Sequence, residues 1–146
     1  MQLEPLEYVE TILITAAPED VFAALVDPER VNQYHMAPLF KIGTVPGEEI
    51  LYGSADDIMI SGRITRLLPG EVLEHTFRFG PESHAGTEVD ADTLVNYTLE
   101  PVGGETRLTL RHSGFAEENQ TFANISGGWP YILEGLKGYL EGTTAD

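Results

Sequence analysis

The chain contains no cysteine, which excludes disulfides, thiolate nucleophiles and cysteine-ligated metals. It is also nearly free of lysine: Lys41 and Lys137 are the two it has, and eight Lys and Arg together face 24 Asp and Glu. The formal net charge of −16 repels phosphate backbones and anionic membrane surfaces, so nucleic acid is not an expected partner. No apolar run reaches the roughly 18 residues that a membrane-spanning helix needs, so no membrane insertion is expected. The first ten residues, MQLEPLEYVE, are acidic and lack the apolar region of a signal peptide, which predicts a cytoplasmic protein. The sequons Asn96-Tyr97-Thr98 and Asn124-Ile125-Ser126 then read as chance.

Chemical signatures are scarce too. His35, His75, His84 and His112 share no metal-ligand spacing. Asp56-Asp57 and Asp90-Ala91-Asp92 do not form a calcium loop. Neither a serine nucleophile elbow nor a phosphate-cradling glycine loop is found. No metal and no cofactor is expected. What remains is a 146-residue chain, 42% hydrophobic, read as one domain over 1–146 with a real core.

The chain is organised around FANISGGWPYILEGLKGYLEG, residues 122–142. On a helix, Phe122, Ile125, Trp129, Ile132, Leu133, Leu136 and Leu140 fall on one stripe, with Glu134, Gly138 and Glu141 opposite and Gly142 as C-terminal cap. Pro130 removes one backbone donor and crowds the turn at Ser126, so a kink near Gly127–Pro130, or a start at Ser126, is expected. Upstream, strand patterns dominate. Residues 6–15 read as a strand, and Pro18-Glu19-Asp20 opens a short helix whose buried face is Val21, Phe22 and Leu25. A second short helix or turn follows over 29–37. Further strands are read at 39–43, 48–53, 57–67, 72–79, 92–100 and 106–113. Inward sets are Ile58, Ile60, Gly62 and Ile64; Leu73, His75, Phe77 and Phe79; Val95, Tyr97 and Leu99; Leu108, Leu110 and His112. Residues 80–89 read as a polar loop. An antiparallel sheet with one apolar face must cover that face, and the last helix is the available cover. The space between them is the candidate pocket.

Four local patterns carry a family resemblance. Ala17-Pro18-Glu19-Asp20-Val21-Phe22 with Ala24-Leu25 and Asp27-Pro28-Glu29 comes first. Gly62-Arg63-Ile64, Pro69 and Leu73 to Phe77 form the second. Thr106 to Leu110 with His112-Ser113-Gly114-Phe115 is the third, and Gly128-Trp129 with Leu133 and Leu136 the fourth. In this order, over about residues 8–142, they resemble the SRPBCC (START-like) superfamily, in its branch of activator-of-heat-shock-protein-ATPase homologues. The resemblance implies a bacterial α+β protein of helix-grip fold. A curled antiparallel sheet of six to seven strands would surround a long C-terminal helix, with two short helices after the first strand and a hydrophobic cavity under the last helix. Phe77 stands where that family's hairpin usually has Trp, and Tyr34 near another usual Trp. Chaperone activation in the namesakes depends on an additional domain that is not expected here.

Candidate site residues follow from the inward faces. His75 is either a core histidine bonded to a neighbour or a pocket donor and general base. His112, at the end of its inward run, divides evenly between structural and pocket roles. Tyr97 needs a partner for its hydroxyl, which could be a ligand. Trp129 is core first and pocket wall second. Ile60, Phe77 and Leu133 are expected to line the cavity, with Tyr34, His35 and Phe40 at its mouth. Three functions stay open: binding of a hydrophobic or aromatic small molecule; a cyclase- or dehydratase-type enzyme on an aromatic or polyketide-like substrate, using His75, His112 and Tyr97; and a stress-associated protein-interaction domain with a filled core. An exposed sheet edge would admit a homodimer.

Overall fold

The computed structural model describes residues 6–35, 38–54, 56–79, 93–115 and 120–142; for Leu6, Phe79, Phe115 and residues 120–124 the backbone alone is described. His84, the expected polar loop, Asp90 and Asp92 lie outside the described residues, as does the side chain of Phe122. The elements run β1 (Leu6–Ile14), α1 (Pro18–Val26), α2 (Pro28–Val31), β2 (Leu39–Ile42), β3 (Glu49–Gly53), β4 (Ile58–Leu68), β5 (Val72–Phe79), β6 (Thr93–Val102), β7 (Glu105–Phe115) and α3 (Gln120–Glu141). The expected strands and both early helices are present. None of the described helices is long and apolar enough to cross a membrane.

The seven strands form one curled, unclosed sheet in the order β1-β7-β6-β5-β4-β3-β2, antiparallel throughout. Successive strands neighbour one another from β2 to β7, and the first strand returns beside the last. Tight connections set the register. Gly103 and Gly104 join β6 to β7 with φ of 52° and 89°, the two positive values a two-residue primed turn requires, so Val102 pairs directly with Glu105. Gly62 allows a different kind of approach. A Cβ there would collide with the Thr76 carbonyl of β5. Next to it, the Arg63 amide donates to Thr76 Oγ1 at 2.9 Å and the β4–β5 register shifts between Ile64 and Arg66, so the sheet bends where the missing side chain lets backbones close up.

Asp27 separates the short helices. Its amide bonds the Ala23 carbonyl at the end of α1, and its carboxylate accepts from the Glu29 amide at 3.0 Å to start α2. Val21, Phe22, Ala24 and Leu25 of α1 enter the core. α3 is one helix with Pro130 inside it, so of the two alternatives read from sequence the continuous helix holds and the start at Ser126 gives way to a start at Gln120. Ile125, Trp129, Ile132, Leu133 and Leu136 of its stripe are buried, with Leu133 and Leu136 at 1% and 0% exposure. Each such leucine contributes roughly 1.5–3 kcal/mol relative to an exposed one. Gly142 ends the helix at φ 72°, as its position predicts.

The end of α3 also covers part of an edge. Lys137 Nζ donates to the Leu13 carbonyl, and Glu141 accepts from the Thr15 amide at 2.8 Å while pairing with Lys137 at 2.9 Å. The Ala16 carbonyl, one residue further on, bonds Thr106 of β7 instead. Antiparallel alternation therefore places the Leu13 and Thr15 groups on the open side of β1, where α3 satisfies them.

Candidate functional site

The inward positions of three strands align in rows. His75 of β5 pairs with Val95 of β6, and Val95 pairs with His112 of β7. One row along, Leu73, Tyr97 and Leu110 pair in the same way, so His75 and Tyr97 are diagonal neighbours on the concave face. All six are buried.

His112 is fully occupied by its neighbours. Trp129 Nε1 donates to His112 Nδ1 at 3.0 Å, and an indole nitrogen can only donate. Nδ1 is therefore the unprotonated nitrogen, and Nε2 carries the proton of the neutral ring. Nε2 donates to Thr93 Oγ1 at 2.7 Å, and Thr93 Oγ1 donates in turn to the Phe77 carbonyl at 3.0 Å. This relay runs from α3 through β7 and β6 to β5. The Phe77 ring meets His112 edge-on at 4.5 Å, and Tyr97 meets Trp129 edge-on at 6.0 Å. Burial, with a smaller contribution from His75, pushes His112 down to about 3.

His75 differs. Its Nδ1 lies 2.7 Å from the Thr76 carbonyl, so the proton of the neutral ring sits there. Nε2 then presents a lone pair, and it has no hydrogen-bond partner among the described residues, although the residue is 2% exposed. Burial lowers its pKa to about 4, with the Thr76 carbonyl and Glu74 acting weakly the other way. A ring so placed is a neutral acceptor at pH 7. It is a weak general base there, because proton transfer is most effective when the pKa lies near the working pH.

Three tyrosines complete the concave side. Tyr34 donates its hydroxyl to the Ala24 carbonyl at 2.7 Å. Tyr52 of β3 and Tyr97 are 4% and 3% exposed. Burial raises all three phenols, and Tyr52 and Tyr34 further raise Tyr97, which brings β3, β6 and the turn after α2 to one electrostatic neighbourhood. All three stay protonated at neutral pH. The His35 ring stacks on Tyr52 at 4.8 Å. Outside them, a groove of about 410 Å³ runs between the turn Asn32–His35 and Tyr131, Glu134 and Gly135 of α3. Gly135 makes that approach possible, since a Cβ there would lie 3.2 Å from Tyr34 Cβ and its carbonyl oxygen.

Of the residues expected at the site, Ile60, Phe77, Tyr97, Trp129 and Leu133 share one buried cluster, and His75 and His112 are buried on the strands that contribute to it. Tyr34 and His35 line the groove at its edge. Phe40 is not brought in: it is 44% exposed. The β2–β3 register passes from Leu39–Tyr52 to Lys41–Leu51, so Phe40 is the extra residue of a bulge and Leu39 takes the inward place. Thr93 and Tyr52 were not singled out from sequence. Thr93 stands two residues before the recognised inward position Val95, so strict alternation reaches it; Tyr52 alternates with buried Ile50 in β3, for which no inward face is read from sequence. Among the described residues no three His, Asp or Glu side chains gather to hold a metal.

Solved structures share this fold. The Aha1 protein from Colwellia psychrerythraea, described as a dimer, superposes with a TM-score of 0.80 at 21% identity over 96% of this chain and 99% of that one. MLL2253 from Mesorhizobium loti gives 0.79 at 21% identity over 96% and 100%. CalU16 from Micromonospora echinospora gives 0.73 at 22% identity over 92% and 75%. No curated protein matches the chain. The family model described as "Activator of Hsp90 ATPase homolog 1-like protein" matches residues 15–141, nearly the whole described fold from the end of β1 to the end of α3, and the chain therefore belongs to that family.

Proposed function

We propose that this protein acts in the cytoplasm as a binding module for a hydrophobic small molecule, held on the concave face of the sheet between α3 and β3–β6. The observation that carries this reading is the buried Nε2 of His75. A buried acceptor without a partner costs about 1–3 kcal/mol, and a ligand donor would remove that cost. The relay through His112 favours binding over acid–base catalysis. Both nitrogens of His112 already serve Trp129 and Thr93, and His75 is too weakly basic to be an efficient proton acceptor at neutral pH. The same relay limits where the ligand goes. With Trp129 held against β7, we place the proposed ligand on the His75 side, with the groove at Tyr34 and His35 as its proposed entrance.

Nitrogen-15 NMR of the histidine rings, with a neutral aromatic probe such as naphthol, tests this directly. Binding should move the His75 Nε2 resonance towards the hydrogen-bonded range and leave His112 Nδ1 in place. Saturation should raise the melting temperature; at a hundredfold excess over Kd the stabilisation is ~2.7 kcal/mol. A panel of aromatic and acyl compounds that moves neither His75 nor the melting temperature would sink the proposal and favour a protein-interaction domain with a filled core.

A further inference from the structure

The interior has hydrogen-bonding capacity of both signs and no charge. Among the described residues, the buried polar side chains are Ser61, His75, Thr93, Thr106 and His112, and no Lys, Arg, Asp or Glu is buried. Thr93, Thr106 and His112 have protein partners. Tyr34 also gives its hydroxyl to the protein. Among the described residues no hydrogen bond is formed by the Tyr52 or Tyr97 hydroxyl; Tyr97 is the diagonal neighbour of His75 on the concave face, and Tyr52 lies close enough to Tyr97 to raise its phenol further. An ionised ligand would enter this space without a counter-charge, which is costly in a low-dielectric interior. The net charge of −16 disfavours anions a second time, at the approach.

Resting on the binding role proposed above, the geometry points to a neutral ligand: an apolar, ring-sized compound with a hydroxyl that donates to His75 Nε2 and a carbonyl oxygen that accepts from Tyr52 or Tyr97. Fatty-acid anions and other carboxylates are disfavoured. The depressed basicity of both buried histidines supports the argument, since neither ring becomes a cation for an anionic ligand at neutral pH.

Three probes of one shape separate the possibilities by isothermal titration calorimetry on the intact protein: an acetylnaphthol with hydroxyl and ketone on opposite rings, a hydroxynaphthoate, and ethylnaphthalene. The acetylnaphthol should bind about tenfold more tightly than ethylnaphthalene, as two net hydrogen bonds imply. The hydroxynaphthoate should bind at least about tenfold more weakly than the acetylnaphthol, because its charge is buried unpaired. Tyr97→Phe, Tyr52→Phe and His75→Phe keep ring-sized side chains. Tyr52→Phe and Tyr97→Phe combined with His75→Phe should erase the roughly tenfold preference for the acetylnaphthol over ethylnaphthalene. Equal affinity for acetylnaphthol and ethylnaphthalene overturns this inference and leaves the binding role standing. Preference for the carboxylate overturns it as well. No binding of any of the three overturns both.

Discussion

Trp129 on α3 donates its indole N–H to Nδ1 of His112 on β7 across 3.0 Å, and His112 passes the bond on to Thr93 at 2.7 Å. Three consecutive elements, β6, β7 and α3, are thus joined through one imidazole ring, and loss of either outer partner strands one of its nitrogens. Chains of this kind are costly to break in the middle.

Trp129→Phe keeps an aromatic ring but strands His112 Nδ1, and Thr93→Val keeps the volume but strands His112 Nε2–H. Each should cost about 1–3 kcal/mol in urea unfolding, with some further loss from the smaller ring at position 129. At this chain length that corresponds to a drop of roughly 2–4 °C in Tm per kcal/mol. The double variant should lose less than the sum of the two, by about 0.5–3 kcal/mol, because the bonds share one ring. Strict additivity would mean that the relay does not act as a unit.

The histidines also set an acid limit. Both are held neutral, His75 down to about 4 and His112 down to about 3, whereas an unfolded histidine titrates near 6.5. The folded state binds fewer protons than the unfolded state inside that interval, so stability rises with pH there. The contribution is complete above about pH 7, is lost progressively as pH falls below 6.5, and levels off below about 4 for His75 and 3 for His112. At about 1.4 kcal/mol per unit, the loss is on the order of a few kcal/mol for each histidine. Glu49 and Glu141, whose carboxyls are held below the usual value by Lys41 and Lys137, act only below about 4.5 and so do not obscure the upper part of the window. Urea midpoints measured between pH 8 and 5 test this: a flat profile, or ring titration near 6.5 for both histidines by NMR, contradicts it.

Much of the scaffold is legible in the sequence because strand and helix periods leave direct marks. The alternation of Leu73, His75 and Phe77, of Val95 and Tyr97, and of Leu108, Leu110 and His112 fixes three inward faces, and all of these residues are buried. The α3 stripe is as clear. Pairing between faces is not written in any local period. Nothing in residues 92–100 says that Thr93 will meet His112, because that contact depends on the β6–β7 register and on the rotation of α3. Phe40 illustrates a local failure: one bulged residue in a four-residue strand reverses which side chain points inward. Tyr52 escaped notice because β3 is short, with five residues in which to read an alternation.

Two glycines, Gly62 in β4 and Gly127 in α3, should respond to the same substitution with opposite signs. Gly62 lies in β4 against β5, and a methyl group there collides with the backbone oxygen of Thr76, which cannot move aside as a flexible side chain could. Gly62→Ala must separate the two strands, break the Arg63–Thr76 bond and flatten the bend that shapes the concave face; a loss above about 2 kcal/mol is expected. Gly127 lies inside α3, is exposed, and has nothing within 4 Å of the position a Cβ would take. Gly127→Ala restricts the unfolded chain without strain in the folded one, and should raise stability by about 0.5–1 kcal/mol. Urea denaturation of both variants decides the matter. A destabilised Gly127→Ala would mean that the turn ahead of Pro130 departs from ordinary helix geometry and uses its glycine for it. A neutral Gly62→Ala would mean that the sheet can relax at this point, and the curvature that brings Tyr52 near Tyr97 would then be set elsewhere.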